Sequence, residues 1–380
     1  MRKRKRKSRL LTVLAIVAVC FAGNALLLDS RTNTPPDAST NRLASTALTQ
    51  SIPAVALANE TQAETISLDY IDGSTYVGEV ERNSIRNGTG TYVWDTGEVY
   101  TGEWKNDQLT GEGTLIWPDL GVYTGSFENG KREGQGTFTW TYDEEPKLGQ
   151  PISFEGTWHN DKIGNKGKLI LAGLGTYSGR FSRQVRSGKG VFTWENGDEY
   201  NGTWANDAIT GEGVLTLADG TALKGTFVKG VLQAGTIQYA VEGGTAKRDI
   251  SAGKLSSAVE ITYHDGTFVS CKLKKGEVTG NAIIRYSSGD RYVGTLKNGM
   301  KDGKGAYTWK NGAHYVGEWD NDKMSGQGKY YYGKDETKNY LSGSFSKGIP
   351  TGKLTYIGTN KLKYETTWTG GKCTNIVYKK

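Results

Sequence analysis

The sequence predicts an all-β protein: an elongated single-layer antiparallel sheet of tandem β-hairpins, preceded by one N-terminal transmembrane or signal helix. Two phrases support the sheet. Tyr-x-Gly-x-aromatic begins at Tyr177 and returns 23 residues later at Tyr200, and Gly-x-Gly-x-Phe-x-Trp fills residues 188–194 between them. Such self-similarity at a fixed period is the signature of a repeat array. The helix is predicted from residues 10–28, which are almost wholly apolar and follow a basic start.

Each repeat is predicted to form one hairpin. Alternate residues of a strand share a face, so Tyr177, Gly179 and Phe181 point one way and the polar residues between them point the other. The second phrase alternates in the same manner, and a loop of about six residues is predicted to join the two strands. The pair Asn196-Gly197 predicts a tight type I′ turn into the next strand, because Asn and Gly accept the positive φ angles of such turns.

Three segments are predicted before the repeats. Residues 1–9 are a basic flank with seven Lys or Arg side chains. Residues 10–28 would span about 28 Å as a helix, close to one hydrocarbon core. The basic flank is predicted to stay cytoplasmic, which places the repeats on the extracytoplasmic side of a single-pass membrane protein. Residues 29–64, rich in Ser, Thr, Ala, Asn and Pro, predict a disordered tether.

Processing of the apolar segment has alternatives. An uncleaved signal anchor is favoured, but a peptidase site could end at Ala25 or Ala58, and cleavage would give a secreted protein. A lipoprotein at Cys20 is a third alternative, although Val19 is bulky for the residue before a lipidated cysteine.

The repeats themselves are predicted at residues 66–234 and 263–380. Between them, residues 235–262 keep the period but lose the phrase and most of its aromatic residues, which indicates a degenerate repeat or a bend. The unit that begins at Tyr123 is 31 residues long. Its extra residues, around Tyr142–Ile152, are predicted to project as a loop.

Charge and cysteine content exclude some classes of function. The formal net charge of +7 equals the seven positive charges of residues 1–9, so the rest of the chain sums to zero. We find no basic stripe in it and expect no nucleic acid to bind. Cys271 and Cys373 are separated by more than four repeats, which argues against a disulfide.

No catalytic constellation, metal site or cofactor motif is predicted. His159, His264 and His314 lie far apart in the array, and none heads a metal-ligand spacing. Gly-x-Gly opens a strand here rather than a helix, so the dinucleotide fingerprint lacks its structural context. The sequence therefore predicts a protein that is not an enzyme and binds no cofactor.

Tyr-x-Gly-x-Trp followed by Gly-x-Gly at this period resembles the MORN repeat (membrane occupation and recognition nexus). Clear examples are Tyr100–Trp104 with Gly111-Glu-Gly113, and Tyr315–Trp319 with Gly326-Gln-Gly328. The likeness covers residues 66–380. It implies successive antiparallel hairpins used for protein association, self-dimerisation and attachment near membranes. Family members with catalysis carry a separate enzyme domain, and none is visible in this sequence.

The aromatic face of the sheet is the candidate binding surface. Glycines on that face leave shallow sites over which rings can lie, and stacked rings would contribute several kcal/mol per repeat interface. A single layer without a covering helix cannot hide this stripe, so we expect it to curve onto itself, pair with another chain or hold a ligand. The candidate binding residues are Tyr100, Trp104, Trp117, Tyr123, Phe127, Trp140, Trp158, Tyr177, Trp194, Tyr200, Trp204, Tyr292, Trp309, Tyr315 and Trp319.

These observations predict a non-catalytic, membrane-tethered scaffold that binds a protein partner or forms a homodimer, with the N-terminal helix engaging the membrane. The alternative is a surface glycan or cell-wall binding module that stacks sugars on the aromatic stripe. Direct lipid binding is a third option, to which a near-neutral array gives little electrostatic help.

Overall fold

A computed structural model describes residues 64–379 of the chain. The predicted basic flank at 1–9, the predicted helix at 10–28 and the predicted tether at 29–64, apart from Glu64, lie outside the described residues.

The helical part of the predicted fold class is corrected by the structure. Within residues 64–379 no helix is long and apolar enough to cross a membrane, and the short segment Arg82–Ser84 is a turn, with φ angles of 65° at Asn83 and 60° at Ser84. Alternating aromatic and β-branched residues favour strands over this whole range. The described chain is therefore all-β, without the transmembrane or signal helix, and the membrane localisation stays a prediction.

Twenty-nine strands form an antiparallel sheet in the described chain. The first fifteen are β1 (Glu64–Asp69), β2 (Thr75–Glu81), β3 (Ile85–Val93), β4 (Val99–Lys105), β5 (Gln108–Trp117), β6 (Gly121–Glu128), β7 (Lys131–Trp140), β8 (Pro151–His159), β9 (Lys162–Leu171), β10 (Gly175–Ser182), β11 (Val185–Trp194), β12 (Glu199–Ala205), β13 (Ala208–Thr216), β14 (Ala222–Val228) and β15 (Val231–Val241). The others are β16 (Gly244–Ser251), β17 (Lys254–Leu255), β18 (Ala258–Tyr263), β19 (Phe268–Lys274), β20 (Glu277–Arg285), β21 (Arg291–Lys297), β22 (Met300–Thr308), β23 (His314–Asp320), β24 (Lys323–Tyr331), β25 (Tyr340–Ser346), β26 (Ile349–Pro350), β27 (Gly352–Ile357), β28 (Lys363–Thr369) and β29 (Lys372–Lys379).

The strands belong to two compact units. Unit 1 extends to residue 218 and includes 226–231, and unit 2 comprises 219–225 and the chain from 232 onward. From β1 to β13 in unit 1, each strand pairs antiparallel with the next one along the chain, as tandem hairpins predict. Unit 2 follows the same order, except that β16 also pairs with β18 beside the short β17, and β25 with β27 beside β26.

A row of glycines crosses unit 1 from strand to strand. Gly190 of β11, for example, lies opposite Gly179 of β10 on one side and Gly202 of β12 on the other. Since glycine has no side chain, the row forms a furrow on the sheet. Its members are Gly78, Gly90, Gly102, Gly113, Gly125, Gly136, Gly156, Gly167, Gly179, Gly190, Gly202 and Gly213.

The turns differ from the prediction in two respects. The two strands of a repeat are joined by two residues rather than about six; Asn206 and Asp207, between β12 and β13, have φ angles of 48° and 64°. Positive φ at both positions is the type I′ signature. The predicted type I′ turn at Asn196-Gly197 is wrong, because only Gly197 has a positive φ, and the Gly197 N–H donates to the Trp194 carbonyl at 3.0 Å across a longer loop.

The predicted degenerate stretch is continuous sheet within unit 2. In the register of β15, β16 and β18, Tyr239 lies opposite Ala246, and Ala246 lies opposite Ile261. Ile261 is buried at the position equivalent to Phe192, and Val259 is buried at the position equivalent to Gly190. Aliphatic side chains therefore fill the core of residues 235–262 in place of the missing aromatics.

Candidate interaction surfaces

Most of the fifteen predicted binding residues are buried within the chain itself. Trp140, Trp194 and Trp309 are half-buried. The other twelve are all buried, at 6% exposure or less. Their rings pack edge to face on one another; Tyr177, for instance, contacts Phe181 and Trp204 with centroids 5.2 Å apart in both pairs. These twelve rings form the chain's own core, and a binding role for any of the fifteen stays a prediction.

The first aromatic residue of each regular repeat, a tyrosine except at Phe154, fills the glycine furrow. A Cβ atom added to Gly213 would lie 2.4 Å from the Tyr200 hydroxyl oxygen, so the ring rests directly on the glycine backbone. The Tyr200 hydroxyl donates to the Thr203 carbonyl at 3.2 Å. Burial raises the pKa of Tyr200 to about 12, because the phenolate would lose its hydration. The glycines of the Gly-x-Gly phrase therefore leave the space in which the ring of a neutral tyrosine packs.

Replacing Gly213 with alanine tests this packing. The new methyl group must displace the Tyr200 ring. We expect the free energy of unfolding to fall by about 1–3 kcal/mol, the usual cost of an overpacked core. Gly333→Ala is the control, because nothing lies within 4 Å of its added Cβ and its φ is not left-handed. Urea unfolding of the two variants measures the difference; equal losses would show that the ring does not rest on Gly213.

A second feature of the core is a buried cation above the tryptophan of alternate repeats. Arg186 lies with its guanidinium carbon 4.7 Å from the centroid of Trp204 and donates through Nε to Asp207 Oδ1 at 2.8 Å. The same arrangement recurs at Arg86 with Trp104 and Asp107, at Arg132 with Trp158 and Asp161, and at Lys301 with Trp319 and Asp322. The aspartate belongs to the two-residue turn of the next hairpin, so each ion pair joins two hairpins.

Sequence reasoning missed these ion pairs, although the sequence carries their signal. Arg186 is followed 21 residues later by Asp207. Where the first position is apolar, the second is not an aspartate: Leu109 is followed by Gly130, Ile163 by Gln184 and Ile209 by Gly230. This covariation between alternate repeats identifies the pairs without a structure.

Acidic and basic residues are unevenly distributed along the repeats, although their charges sum to zero. Residues 64–161 hold 6 basic and 18 acidic residues, whereas residues 271–379 hold 19 basic and 9 acidic residues. Of those 19 basic side chains, 17 are exposed. The sequence interpretation of an array without basic stripes is therefore corrected: the charges sum to zero, but they do not alternate.

Unit 2 also carries a row of partly exposed rings, of which the sequence analysis singled out only Trp309. From Trp309 the row continues through Tyr330, Tyr332, Tyr356, Tyr364 and Tyr378, with successive centroids 5.0–6.2 Å apart. Tyr332 is 47% exposed and Tyr378 49% exposed. Tyr332 and Tyr378, unlike the twelve buried candidate rings, can contact a ligand without rearrangement of the core.

Residues suited to metal binding are not brought together in the described part of the chain. No group of three or more His, Cys, Asp or Glu side chains there could hold a metal ion. His159 instead contacts Glu133 at 2.7 Å, and His314 lies 3.3 Å from Glu336 while its ring stacks on Tyr331. The predicted lack of enzymatic activity and of cofactors stays a prediction.

Comparison with known proteins identifies the repeat. A family model described as the MORN repeat matches residues 76–99, 100–122, 123–141, 154–173, 177–199, 200–222, 292–314 and 315–336. No protein with a curated description matches the chain. Among solved structures, the chain is similar to the TCP domain of SAS-4 (dCPAP) in complex with a proline-rich motif of Ana2 (dSTIL) of Drosophila melanogaster. Identity is 11%, covering 64% of this chain and 99% of that one, at a TM-score of 0.13, which is too low to carry an argument.

Proposed function

Because the chain carries eight MORN repeats between residues 76 and 336, we propose that it is a non-catalytic scaffold that associates with protein partners, including a second copy of itself. MORN repeats commonly mediate protein or membrane interactions. Most large rings of unit 1 are committed to its own core, so charged side chains dominate the surface that the chain offers to a partner.

The observation that carries the proposal is the segregation of charge. The formal net charge is −12 for residues 64–161 and +10 for residues 271–379. Each segment would bind a partner surface of the opposite charge. Charge complementarity steers encounter and fixes the register of binding more than it adds affinity. The segregated array therefore supports a selective association surface.

Sedimentation of the purified full chain at low and high salt tests the proposal. We expect self-association that weakens as salt rises from about 50 to 500 mM, because exposed charges are screened. If the chain does not self-associate, we expect in-cell crosslinking to capture a charged partner. A strict monomer at every concentration, without a crosslinked neighbour in cells, contradicts the proposal.

A glycan-binding module is the second candidate, favoured by the exposed ring row of unit 2. Sugars stack on aromatic faces, and Tyr332 and Tyr378 present theirs. Successive rings are tilted against one another, however, by 68° for Tyr330 and Tyr332 and by 86° for Tyr332 and Tyr356. Tilted rings offer no flat shelf, which favours the protein scaffold. Retention on a glycan column, released by free sugar and lost in Tyr332→Ala, would reverse this order.

A further inference from the structure

Two neighbouring hairpins of unit 1, β8–β9 and β10–β11, separate at their turn ends. In the other regular repeats of unit 1 the second turn residue donates its N–H to the preceding hairpin, as from Asp161 to the Arg132 carbonyl and from Asp207 to the Arg186 carbonyl, both at 3.1 Å. Among the described residues, Gln184 forms no such bond to Ile163. A recess of about 700 Å³ lies at this point.

The opening has a cause in the sequence. The first glycine of Gly-x-Gly is left-handed in the neighbouring repeats, with φ of 78° at Gly134, 73° at Gly188 and 59° at Gly211. In β9 this position is Asn165, which does not adopt a positive φ. Pairing between β9 and β10 ends at Lys166 opposite Arg180. In the equivalent place, β11 and β12 add one further pair, Gly188 opposite Trp204.

The cleft that results is basic. Lys162 and Arg183 line the larger recess together with His159, whose ring also contacts Glu133, and Lys166 and Arg180 line an adjoining one of about 410 Å³ together with Ser182 and Ser187. Asn165 lines both recesses, and a carboxylate lines neither. We call these residues together the basic cleft. Lys166 and Arg180 lie directly opposite in the sheet and repel each other, so an anion between them would stabilise the pairing.

The residues that line the cleft indicate which kind of ligand it binds. Its four Lys and Arg side chains match a ligand with several acidic groups, and Trp158 and Ile163 add an apolar wall to the larger recess. Asp143-Glu144-Glu145 is the one run of three acidic residues in the chain. It belongs to residues 141–150, the acidic loop between β7 and β8, where Leu148 is 68% exposed. Pro146 favours an extended conformation for the residue before it.

We propose that the basic cleft binds the acidic loop of a second copy of this chain. In its own copy the loop is held at the opposite end of the hairpin, where the Gly149 N–H donates to the Ala172 carbonyl at 2.8 Å. Lys166, the nearest cleft residue along the sheet, lies five residues, about 17 Å, from Leu171, which pairs with Pro151. Two copies can exchange loops reciprocally in a two-fold dimer, or each copy can present its loop to one neighbour and its cleft to another, which builds rings or filaments.

This inference rests on the proposed self-association, and charge reversal in the full chain tests it. We expect Lys166→Glu/Arg180→Glu to weaken self-association about tenfold or more in sedimentation, and Asp143→Lys/Glu144→Lys/Glu145→Lys to do the same. A chain with both sets of changes restores complementarity and is expected to associate again. The control, Lys105→Glu/Lys254→Glu, makes the same charge change at exposed sites outside the cleft and should associate like the unchanged chain.

A labelled peptide of residues 139–152 provides a second measurement. Its fluorescence anisotropy is expected to rise on addition of the full chain and to stay flat with Lys166→Glu/Arg180→Glu. Self-association that persists in that variant would overturn the inference and leave the proposed function standing, whereas a monomeric unchanged chain without partners would overturn both. Binding of inorganic phosphate or of phosphatidylserine vesicles at the cleft, without binding of the peptide, would likewise overturn the assigned occupant.

Discussion

Between about pH 10 and pH 12 the protein is expected to lose most of its folding stability, because burial raises the pKa of Tyr76, Tyr177, Tyr200 and Tyr315 from 10.0 to about 12. Above pH 10 the unfolded chain releases these protons and the folded chain retains them. Their contribution is therefore complete below pH 10 and is lost as the pH rises toward 12. Each tyrosine accounts for about 1.4 kcal/mol per pH unit, so four approach the whole stability of a domain within two units.

Urea unfolding at pH 8, 10 and 11 measures this loss, and Tyr200→Phe provides the matched variant. Phenylalanine keeps a ring over Gly202 and Gly213 but gives up the hydrogen bond to Thr203, which costs about 1 kcal/mol at pH 8. Because it does not titrate, the variant should lose stability less steeply above pH 10, by about 1.4 kcal/mol per unit. Identical slopes for the two proteins would show that Tyr200 does not stay neutral in the fold.

The largest effect of a single substitution is expected at Asp207. Asp207→Gly leaves Arg186 buried without its carboxylate, and removing one partner of a buried ion pair costs about 3–5 kcal/mol. Glycine is chosen because Asp207 has a φ of 64°, which glycine adopts without strain. Urea unfolding, followed by the fluorescence of the tryptophans in unit 1, measures the change.

The repeats themselves supply the control for this experiment. Ile209 occupies the position equivalent to Arg186, and its turn partner is Gly230 rather than an aspartate. The double variant Arg186→Ile/Asp207→Gly copies that natural pair, and we expect it to recover most of the stability lost in Asp207→Gly, because no charge remains buried. A double variant as unstable as the single one would mean that the turn, and not the ion pair, holds the two hairpins together.

Local pattern was sufficient for the hairpins. The alternation at Tyr177, Gly179 and Phe181, repeated at Tyr200, predicted the antiparallel hairpins and the face that tyrosine, glycine and the second aromatic residue share. It could not predict the turns correctly, since both Asn196-Gly197 and Asn206-Asp207 satisfy the same composition rule. Which pair takes two left-handed residues depends on the register of the flanking strands. The predicted N-terminal helix was argued from hydropathy, and the described residues give it no support.

The aromatic residues show where sequence reasoning stops. It predicted one continuous face bearing Tyr200, Trp204 and the other rings and expected a single layer to leave that face partly uncovered, whereas twelve of the fifteen candidate rings are buried. Burial depends on side chains that interlock across neighbouring hairpins, such as Tyr177 with Trp204. The buried Arg186–Asp207 pair joins the same elements, so its energetic importance emerges only when the hairpins are in place.

The sequence alone determined the repeat, its period and the antiparallel hairpin, because these follow from side-chain alternation and from glycine at fixed spacing. The tertiary structure decided which surfaces remain for a partner. Packing buried the rings of unit 1, and the change from glycine to Asn165 left two adjacent hairpins apart at their turns. Both outcomes depend on contacts between residues about 20 or more positions apart, which no local pattern specifies.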